Sequence, residues 1–468
     1  MPSRSLSLLC TLVTILVASL ASGVASASAT DFRGVQLHSL WGDSSNADMD
    51  RELDMTRDMG ANVVRVDVGW QTLEENGKGV FSQWYVDKLD RFMAGASARG
   101  LKVIITLGWT PCWASSAPDS LKQNCASGWW DRGVNLYPPN QASDFGDISR
   151  WVTARYGSKL AALELWNEPN LSDFLRAADP AAAYAPLVKA GYVGAKQGDA
   201  SVPVLAGSLA RADAPFLTRL YDQGIKGFYD GISIHPYNEQ RDPAMAIDDK
   251  WKQYTFLAGT QLVHETQVAH GDSTPVWATE FGWSTCAGGS TWCVSEAQQA
   301  AYTSKAFRLL AGMPYVKAGI VYNLRDKGTD PVAIEPNYGL INRDFTPKPA
   351  YAALKALFTS PATTPPASSP TAPVHAATGR PVRKASGPPR TRVHVRVARW
   401  WGTAFVSGRA PANAIVRITI RRVRHLHGRT HRWVRHLHAR ANSSGRFLRS
   451  LGRLNRPGRY VVVATIAG

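Results

Sequence analysis

Two glutamates of this sequence lie in contexts that suit the cleavage of a glycosidic bond. Glu168 lies in the run Trp-Asn-Glu-Pro-Asn, and Glu280 lies in the run Thr-Glu-Phe-Gly-Trp. Cleavage of such a bond needs one carboxyl group that protonates the leaving oxygen and a second that attacks or stabilises the anomeric carbon. Because the two glutamates are far apart in the sequence, the fold must bring their carboxyl groups to one place.

Eight short apolar runs alternate with segments that have the apolar period of amphipathic helices, such as 87–98. This alternation predicts a (β/α)8 barrel. An open doubly wound sheet is the alternative, but the sequence lacks a glycine-rich phosphate turn after the first strand. The predicted strands are 32–37, 63–68, 103–107, 163–166, 204–206, 231–234, 276–278 and 319–322.

The predicted barrel places both glutamates where barrel enzymes carry their functional residues, at the C-terminal ends of strands. Glu168 follows the fourth strand and Glu280 ends the seventh. Alternation along the fourth strand predicts that Glu164, Trp166 and Glu168 share one face. Glu164 lies deeper in the strand, so we interpret it as structural support.

Residues 31–357 resemble glycoside hydrolase clan A, whose members carry a glutamate after strand four and another at strand seven. Further motifs are similar to family thirty-nine and its bacterial relatives. Family five cellulase-like enzymes share the two glutamate motifs. The motifs similar to family thirty-nine include Arg-Val-Asp at 65–67, Thr-Pro-Cys-Trp-Ala at 110–114, Tyr-Gly-Leu at 338–340 and Thr-Pro-Lys-Pro-Ala-Tyr at 346–351.

This resemblance implies roles for the residues around the two carboxyl groups. Glu168 would be the general acid/base and Glu280 the nucleophile of a retaining double displacement, while Asn167 would hold the sugar 2-hydroxyl. Arg65, at the second strand, would lie near Glu280 and keep it ionised. Pairing of Arg65 with Asp67 or Glu164 is the alternative, because buried charges are normally paired.

Residues at other strand ends are candidates for sugar binding. His235 and Tyr237 follow the sixth strand and would contact the nucleophile or the substrate, although His235 could instead be a hydrogen-bonded structural histidine. Many clan members have tryptophan after strand eight, where this sequence has Tyr322, which would supply a shorter platform.

Aromatic and polar residues in the loops after the strands are further candidates. Trp109 and Trp283 are predicted to form walls of sugar subsites, because aromatic rings stack on the apolar faces of pyranoses. His38 and Arg325 are polar enough to meet an acidic or decorated sugar. No metal or organic cofactor is implied.

The sequence begins with features of a secretory signal. Arg4 precedes an apolar run, and small residues suitable for cleavage end the segment 1–29. An uncleaved membrane anchor is the alternative. We predict removal of 1–29, a mature chain without a transmembrane helix, and an extracellular or cell-surface location.

Four cysteines follow this segment, an even number in an oxidising compartment. We predict the sequence-local disulfides Cys112–Cys125 and Cys286–Cys293. A metal site is disfavoured, because neither pair has the short spacing of zinc ligands.

The C-terminal part differs in composition from residues 30–358, the predicted catalytic domain. Of the 53 Lys and Arg residues, 22 follow residue 350, and none of the 36 Asp and Glu residues does. Residues 359–390 are rich in Pro, Ser and Thr, which predicts a semi-rigid linker. Residues 391–468 show strand alternation between turn signals, and they resemble a small immunoglobulin-like β-sandwich.

This last segment, the basic module, contains seventeen arginines, no lysine and no acidic residue. A repeat, Val-Arg-His-Leu-His, begins at Val423 and again at Val434, and the two copies are predicted to form a hairpin. Clustered arginine side chains favour the binding of phosphate and carboxylate groups. We therefore expect the module to bind an anionic envelope polymer or acidic polysaccharide, and we do not expect nucleic acid as a partner. A merely soluble charged surface and a metal site at the repeated histidines are the alternatives.

These observations predict a secreted retaining glycoside hydrolase that cleaves β-linked polysaccharides or oligosaccharides. A catalytically silent carbohydrate-binding barrel, anchored by the basic module, is the alternative. Transglycosylation would use the same covalent intermediate and differ only in its products.

Overall fold

The structure is a computed structural model, and its described residues form two compact units. One unit comprises the described residues between 30 and 360, and the other comprises the strands that begin with residue 395. The predicted signal segment 1–29 lies outside the described residues, as does the predicted linker from residue 361 onward. The described residues are 30–41, 44–123, 125, 129–245, 253–288, 290–360, 395–400, 403–409, 415–426, 429–440, 446–453 and 459–466.

The first unit contains a closed barrel of eight parallel strands in sequential order. This confirms the predicted (β/α)8 barrel, and each predicted apolar run lies in or overlaps one strand. The strands are β1 (Phe32–Leu37), β2 (Val63–Gly69), β3 (Lys102–Gly108), β4 (Leu160–Leu165), β5 (Val204–Ala210), β6 (Gly231–His235), β7 (Val276–Phe281) and β8 (Val316–Val321).

Helices surround the barrel and bury their apolar faces against it. Several begin at a side chain that accepts a backbone N–H, as Ser295 does from Gln298 in a reciprocal capping box. The helices are α1 (Asn46–Asp58), α2 (Trp70–Leu73), α3 (Gln83–Ala98), α4 (Asp119–Lys122), α5 (Ala142–Tyr156), α6 (Pro180–Gly198), α7 (Ala214–Asp222), α8 (Phe256–Ala269), α9 (Glu296–Ala311) and α10 (Pro349–Thr359). None of the helices in the described part of the chain has the length and apolarity needed to span a membrane.

The second unit contains two antiparallel sheets of three strands each, in the orders β13-β10-β9 and β12-β11-β14. The repeat lies in the hairpin of β11 and β12, where Val423 pairs with Arg432 and Val434 pairs with Arg421. The last residue of the first repeat copy lies outside the described residues. The strands are β9 (Val395–Trp400), β10 (Thr403–Arg409), β11 (Ile415–Leu426), β12 (Arg429–Arg440), β13 (Arg446–Arg453) and β14 (Arg459–Ile466).

Helices α5 and α6 pack closely because glycine occupies their contact. A Cβ atom at Gly194 on α6 would lie 1.9 Å from the carbonyl oxygen of Gly146 on α5. A backbone carbonyl cannot move aside as the end of a flexible side chain can. The sequence positions of these glycines therefore set how near α6 can lie to its neighbour.

We expect Gly194→Ala to lower the free energy of unfolding by about 2 kcal/mol. Alanine is more favourable than glycine inside a helix by roughly 1 kcal/mol. Forcing the two helices apart in a packed core costs more than this gain. Urea-induced unfolding measures the change. Gly312→Ala is the matched control, because its Cβ atom would meet no atom closer than 3.4 Å. Equal stability of the two variants would contradict the expected steric origin.

Candidate active site

A buried arginine connects the residues at the centre of the barrel. The Arg65 side chain donates from Nε to Glu164 Oε2 at 2.8 Å, and from Nη1 to Gln36 Oε1 at 2.9 Å and Glu280 Oε1 at 2.5 Å. Its Nη2 donates to Asn167 Oδ1 at 3.0 Å. Arg65 therefore lies beside Glu280 and also forms the alternative pair with Glu164, so the two sequence interpretations describe one network.

Glu164 is the buried counter-ion of Arg65. Thr106 and Thr279 each donate a hydroxyl hydrogen bond of 2.7 Å to its carboxylate. Burial by itself would raise the pKa of Glu164, but Arg65, His235 and the two threonines outweigh burial and lower that pKa. Glu164 consequently stays ionised and compensates the buried charge of Arg65.

The two candidate catalytic carboxyl groups meet at His235. His235 Nδ1 lies 2.9 Å from Glu168 Oε1 and 3.6 Å from Glu280 Oε2. The hydroxyl of Tyr237 donates to Glu280 Oε2 at 2.8 Å. Burial and the charge of Glu280 raise the pKa of Tyr237 well above its ordinary value, so the phenol keeps its proton and remains a donor.

The other ring nitrogen of His235 lies 3.2 Å from the hydroxyl of Ser208, which sequence reasoning missed. Gln36 was also missed, although a glutamine inside an apolar barrel strand was a usable signal. Tyr338 is a third, and its ring centroid lies 5.9 Å from that of Tyr237. It belongs to the Tyr-Gly-Leu motif at 338–340, to which the sequence analysis assigns no role in the site.

The predicted face sharing at the end of β4 is wrong. The strand ends at Leu165, and Trp166 has a left-handed φ of 71°. This turn packs the Trp166 ring near Phe145 on α5, with centroids 5.9 Å apart, rather than beside Glu164 in the barrel. Glu168 also has a positive φ, of 42°, which is uncommon for a residue with a side chain, and its carboxylate lies beside His235.

The prediction that Trp283 forms a subsite wall is wrong. Its side chain is 1% exposed, and its indole N–H donates to the Arg241 carbonyl at 3.0 Å. It packs near Phe281 and Tyr302 in the layer between barrel and helices. Trp109 lies directly after β3 and is partly exposed, as a subsite wall requires.

Tyr322 and His38 lie at the edge of the catalytic group. The ring centroid of Tyr322 lies 6.2 Å from that of Tyr237 and 5.5 Å from that of His38. Its hydroxyl contacts both Glu335 and Lys327. Tyr322 is thus held as a rigid ring next to the nucleophile candidate.

Two disulfides hold the loops after β3 and β7, as predicted. Cys112 is bonded to Cys125 and Cys286 to Cys293, with Cα–Cα distances of 5.8 and 5.0 Å. Both loops follow strands of the candidate site, so the disulfides restrict the rim around it.

In the part of the chain that the structure describes, Glu168, His235 and Glu280 form a group that could hold a metal ion. Their nearest ligand atoms lie within 4.8 Å of one another. The same separation lets the two carboxyl groups act on one small reacting centre. The arrangement therefore suits acid, base and nucleophilic chemistry without requiring an ion.

Comparisons with known proteins point to one group of enzymes. The family model of cellulases, glycosyl hydrolase family 5, matches residues 24–187. A β-glucosidase of an Agrobacterium species is 29% identical over 121 residues, which are 26% of this chain and 23% of that enzyme. The chain thus matches about a quarter of the length of this curated relative.

Solved structures of two families share the fold. A family 39 glycoside hydrolase from Bacteroides cellulosilyticus is 18% identical, with a TM-score of 0.53 over 94% of this chain and 81% of that chain. A family 5 enzyme from Streptomyces cattleya, in complex with Manβ1-4GlcNAc, is 17% identical, with a TM-score of 0.52 over 71% and 83%. The family match and the closed barrel confirm the predicted resemblance to clan A and support a glycosidase.

We expect His235 to make the stability of the protein depend on pH. Burial lowers the pKa of His235, but Glu280 and Glu168 outweigh it and raise that pKa above the ordinary 6.5. A raised pKa contributes stability that is complete below about pH 6.5 and is lost as the pH rises through the folded-state pKa. The difference in unfolding free energy between wild type and His235→Gln should therefore shrink from pH 6 to pH 9.

Urea unfolding at each pH measures that difference. His270→Gln, outside the site, is the matched control. A difference between wild type and His235→Gln that stays constant across this range would contradict the pairing of a charged imidazole with the carboxylates.

Proposed function

We propose that this protein is a secreted retaining glycoside hydrolase that cleaves β-linked polysaccharides or oligosaccharides by double displacement. The observation that carries the proposal is the close approach of Glu168 and Glu280, whose nearest carboxylate oxygens lie within 4.8 Å. Retaining glycosidases hold their carboxyl groups about 5–5.5 Å apart, whereas inverting enzymes need roughly 6.5–9.5 Å to admit a water molecule.

In the first step Glu280 attacks the anomeric carbon. Arg65 and Tyr237 each donate to a different oxygen of this carboxylate. These two donors fix the orientation in which the carboxylate attacks. Glu168 protonates the leaving oxygen and then accepts a proton from the water that releases the sugar.

Asn167 contributes a directed hydrogen bond to the substrate. Its side-chain oxygen accepts from Arg65 Nη2, so the amide N–H group is the part left to meet the sugar. A donor in this place binds the 2-hydroxyl, and hydrogen bonds to this hydroxyl strengthen in the transition state of glycosidic cleavage.

Two further observations support the substrate class and the location. The similar enzymes include the β-glucosidase of an Agrobacterium species and a β-xylosidase from Caulobacter crescentus, and both names refer to β-linked sugars. The N-terminal segment has the composition of a secretory signal, and two disulfides are typical of proteins folded in oxidising compartments.

We expect Glu280→Gln to abolish release of reducing ends from β-glucans, mannans, xylans, galactans and bacterial exopolysaccharides. The amide cannot form the glycosyl ester, so the rate should fall by at least roughly 10⁴-fold. Glu168→Gln should lower the rate of release from these glycans by about 10²–10⁴-fold, because their leaving groups are poor and need a proton. The rate on an aryl glycoside should fall much less, because its leaving group needs no proton.

The stereochemistry of the first product provides the test of the retaining mechanism. Proton NMR of the freshly released sugar should show the β-anomer before mutarotation. Release of the α-anomer would contradict a double displacement. Addition of a chelator to the assay is the control for metal-assisted hydrolysis. If the wild type and Glu280→Gln both bind glycans and neither releases reducing ends, a silent carbohydrate-binding barrel would be favoured.

The basic module is proposed to attach the enzyme to an anionic envelope polymer or acidic polysaccharide. In β11, Arg417 is exposed while Val416 and Ile418 are buried, so this strand has an outward face that carries charge. The module lacks acidic residues that would neutralise its seventeen arginines. Such a surface attracts polyanions over several ångströms, and salt weakens the attraction.

We expect the full chain to bind a heparin column and to elute only at raised salt concentration, because the attraction is electrostatic. A chain ending at Ser360, which lacks the module, should pass through. Uncharged agarose is the control matrix. Elution of both chains at the same salt concentration would contradict this role of the module.

A further inference from the structure

Arg211 directly follows β5 and contacts the end of β6, where two residues of the candidate site lie. Its backbone pairs with that of His235 in an isolated antiparallel bridge. Its side chain donates from Nη1 to the carbonyl oxygen of Tyr237 at 3.2 Å. Arg211 therefore contacts the backbone of the histidine beside Glu168 and of the tyrosine that donates to Glu280.

The backbone of Arg211 has a conformation that requires support from its neighbours. Its φ of 64° lies in the left-handed region, which is unfavourable for a residue with a Cβ atom. Asn170 holds the preceding residue, because its amide group donates to the carbonyl of Ala210 at 3.1 Å and accepts from its N–H at 3.0 Å. On the other side, Ala212 donates to the carbonyl of Gln253 at 3.1 Å. Strained residues persist only where the surrounding structure holds them, and they cluster at functional sites.

Two aromatic rings contact the guanidinium group of Arg211. Its Cζ atom lies 4.6 Å from the ring centroid of Trp292 and 5.7 Å from that of Tyr254. Arginine stacks on aromatic faces because its planar cation is attracted by the electrons of the ring. Glu239 Oε1 approaches Nη2 only to 3.7 Å, which is too far for a hydrogen bond. The rings and the Tyr237 carbonyl thus determine where the guanidinium group lies.

Trp292 lies in the loop that follows β7, the strand of the nucleophile candidate. The disulfide between Cys286 and Cys293 closes this loop next to the tryptophan. The preceding carbonyl, of Thr291, accepts from the backbone N–H of Gln240 at 3.0 Å. Gln240 lies in the segment after β6, so the loop is attached to the same segment that the arginine contacts. These attachments fix the ring against which the guanidinium group lies.

These contacts form a closed series around the nucleophile candidate. The loop after β7 places Trp292 over the guanidinium group of Arg211. Arg211 holds the backbone of Tyr237, whose hydroxyl donates to Glu280 Oε2 at the end of β7. Because β6 ends at His235, Tyr237 lies beyond the ladder of the barrel. Arg211 therefore supplies a backbone hydrogen bond of the kind that a neighbouring strand supplies within a sheet.

We propose that Arg211 is a positioning residue for the nucleophile and acts through Tyr237, without contacting the sugar. This inference rests on the proposed glycosidase function and adds one residue to its machinery. The Tyr237 hydroxyl can direct Glu280 Oε2 at the anomeric carbon only while the tyrosine backbone stays where Arg211 holds it. A misplacement of about 1 Å costs roughly 10²-fold in rate, even when the altered residue is far from the reacting atoms.

Arg211→Met removes the donor and keeps a flexible apolar side chain that can pack against Trp292 and Tyr254. The substrates are the 2,4-dinitrophenyl β-glycosides of glucose, mannose, xylose and galactose, whose leaving group needs no proton. The ratio kcat/KM on these substrates reports the attack by Glu280 and not the protonation of the leaving oxygen. We expect Arg211→Met and Tyr237→Phe each to lower kcat/KM by about 10²-fold.

A double-mutant cycle measures whether the two residues act together. The double variant should be slower than Tyr237→Phe by no more than about two-fold, because the hydroxyl that Arg211 positions is already missing. Losses that multiply would overturn the proposal, since Arg211 would then act on the sugar or on stability and not through Tyr237.

Arg241→Met is the matched control, because this arginine also follows β6 and pairs with Glu239 at 2.8 Å. Its kcat/KM should stay within about two-fold of the wild-type value. A loss in Arg241→Met equal to that in Arg211→Met would also overturn the proposal, because it would trace the effect to Glu239.

Trp292→Leu provides the same test if Arg211→Met fails to fold, because Trp292 is only partly buried. The variant removes the ring against which the guanidinium group lies. We expect a smaller loss, of about ten-fold, and this loss should again disappear in the Tyr237→Phe background. Persistence of the full loss in that background would contradict a role through the tyrosine.

Crystal structures of the wild type and of Arg211→Met separate this proposal from the proposed function, because they need no turnover. We expect the distance from the Tyr237 hydroxyl to Glu280 Oε2 to rise from 2.8 Å to beyond hydrogen-bond range in the variant. An unchanged distance would overturn the positioning role, whatever the wild type hydrolyses. A lengthened distance in a protein that releases neither dinitrophenol nor reducing ends from any substrate would refute only the hydrolase.

Discussion

The burial of Arg65 inside the barrel is the constraint on which the rest of the site depends. An uncompensated buried charge costs several kcal/mol, so carboxylates must lie within reach of the guanidinium. Glu164 answers this need from below, and Glu280 answers it at the catalytic end. The same contact that satisfies the arginine thus holds the nucleophile candidate in one orientation.

Three further residues extend this network by one hydrogen bond each. Asn167 is held through its oxygen, Gln36 accepts from Arg65 Nη1, and Tyr237 holds the second oxygen of Glu280. Since each of these groups has its orientation set by another, the site is organised before substrate arrives. Such preorganisation is the main means by which enzymes stabilise developing charge.

The closed barrel determines which carboxyl groups can act together. Glu168 and Glu280 follow strands that are three positions apart in the ring, and the inward course of their ends brings the carboxylates within 4.8 Å. Strand β8 lies opposite β4 but directly beside β7, so Tyr322, which follows β8, borders the nucleophile candidate.

Sequence alone determined the features that depend on local pattern. The apolar runs predicted eight strands, because a parallel barrel buries both faces of each strand. The disulfides followed from cysteines that are near in the chain, and the glutamates stood out because each lies at or just after the end of a strand. Only the tertiary structure determined the direction of side chains that lie beyond the ends of the regular strands. Trp166 turned away because a left-handed residue ended the alternation, and Trp283 was buried by packing with residues distant in sequence. The hydrogen bond between Arg65 and Gln36 was likewise beyond sequence reasoning, because the two residues lie in β2 and β1 and meet only through the pairing of these strands.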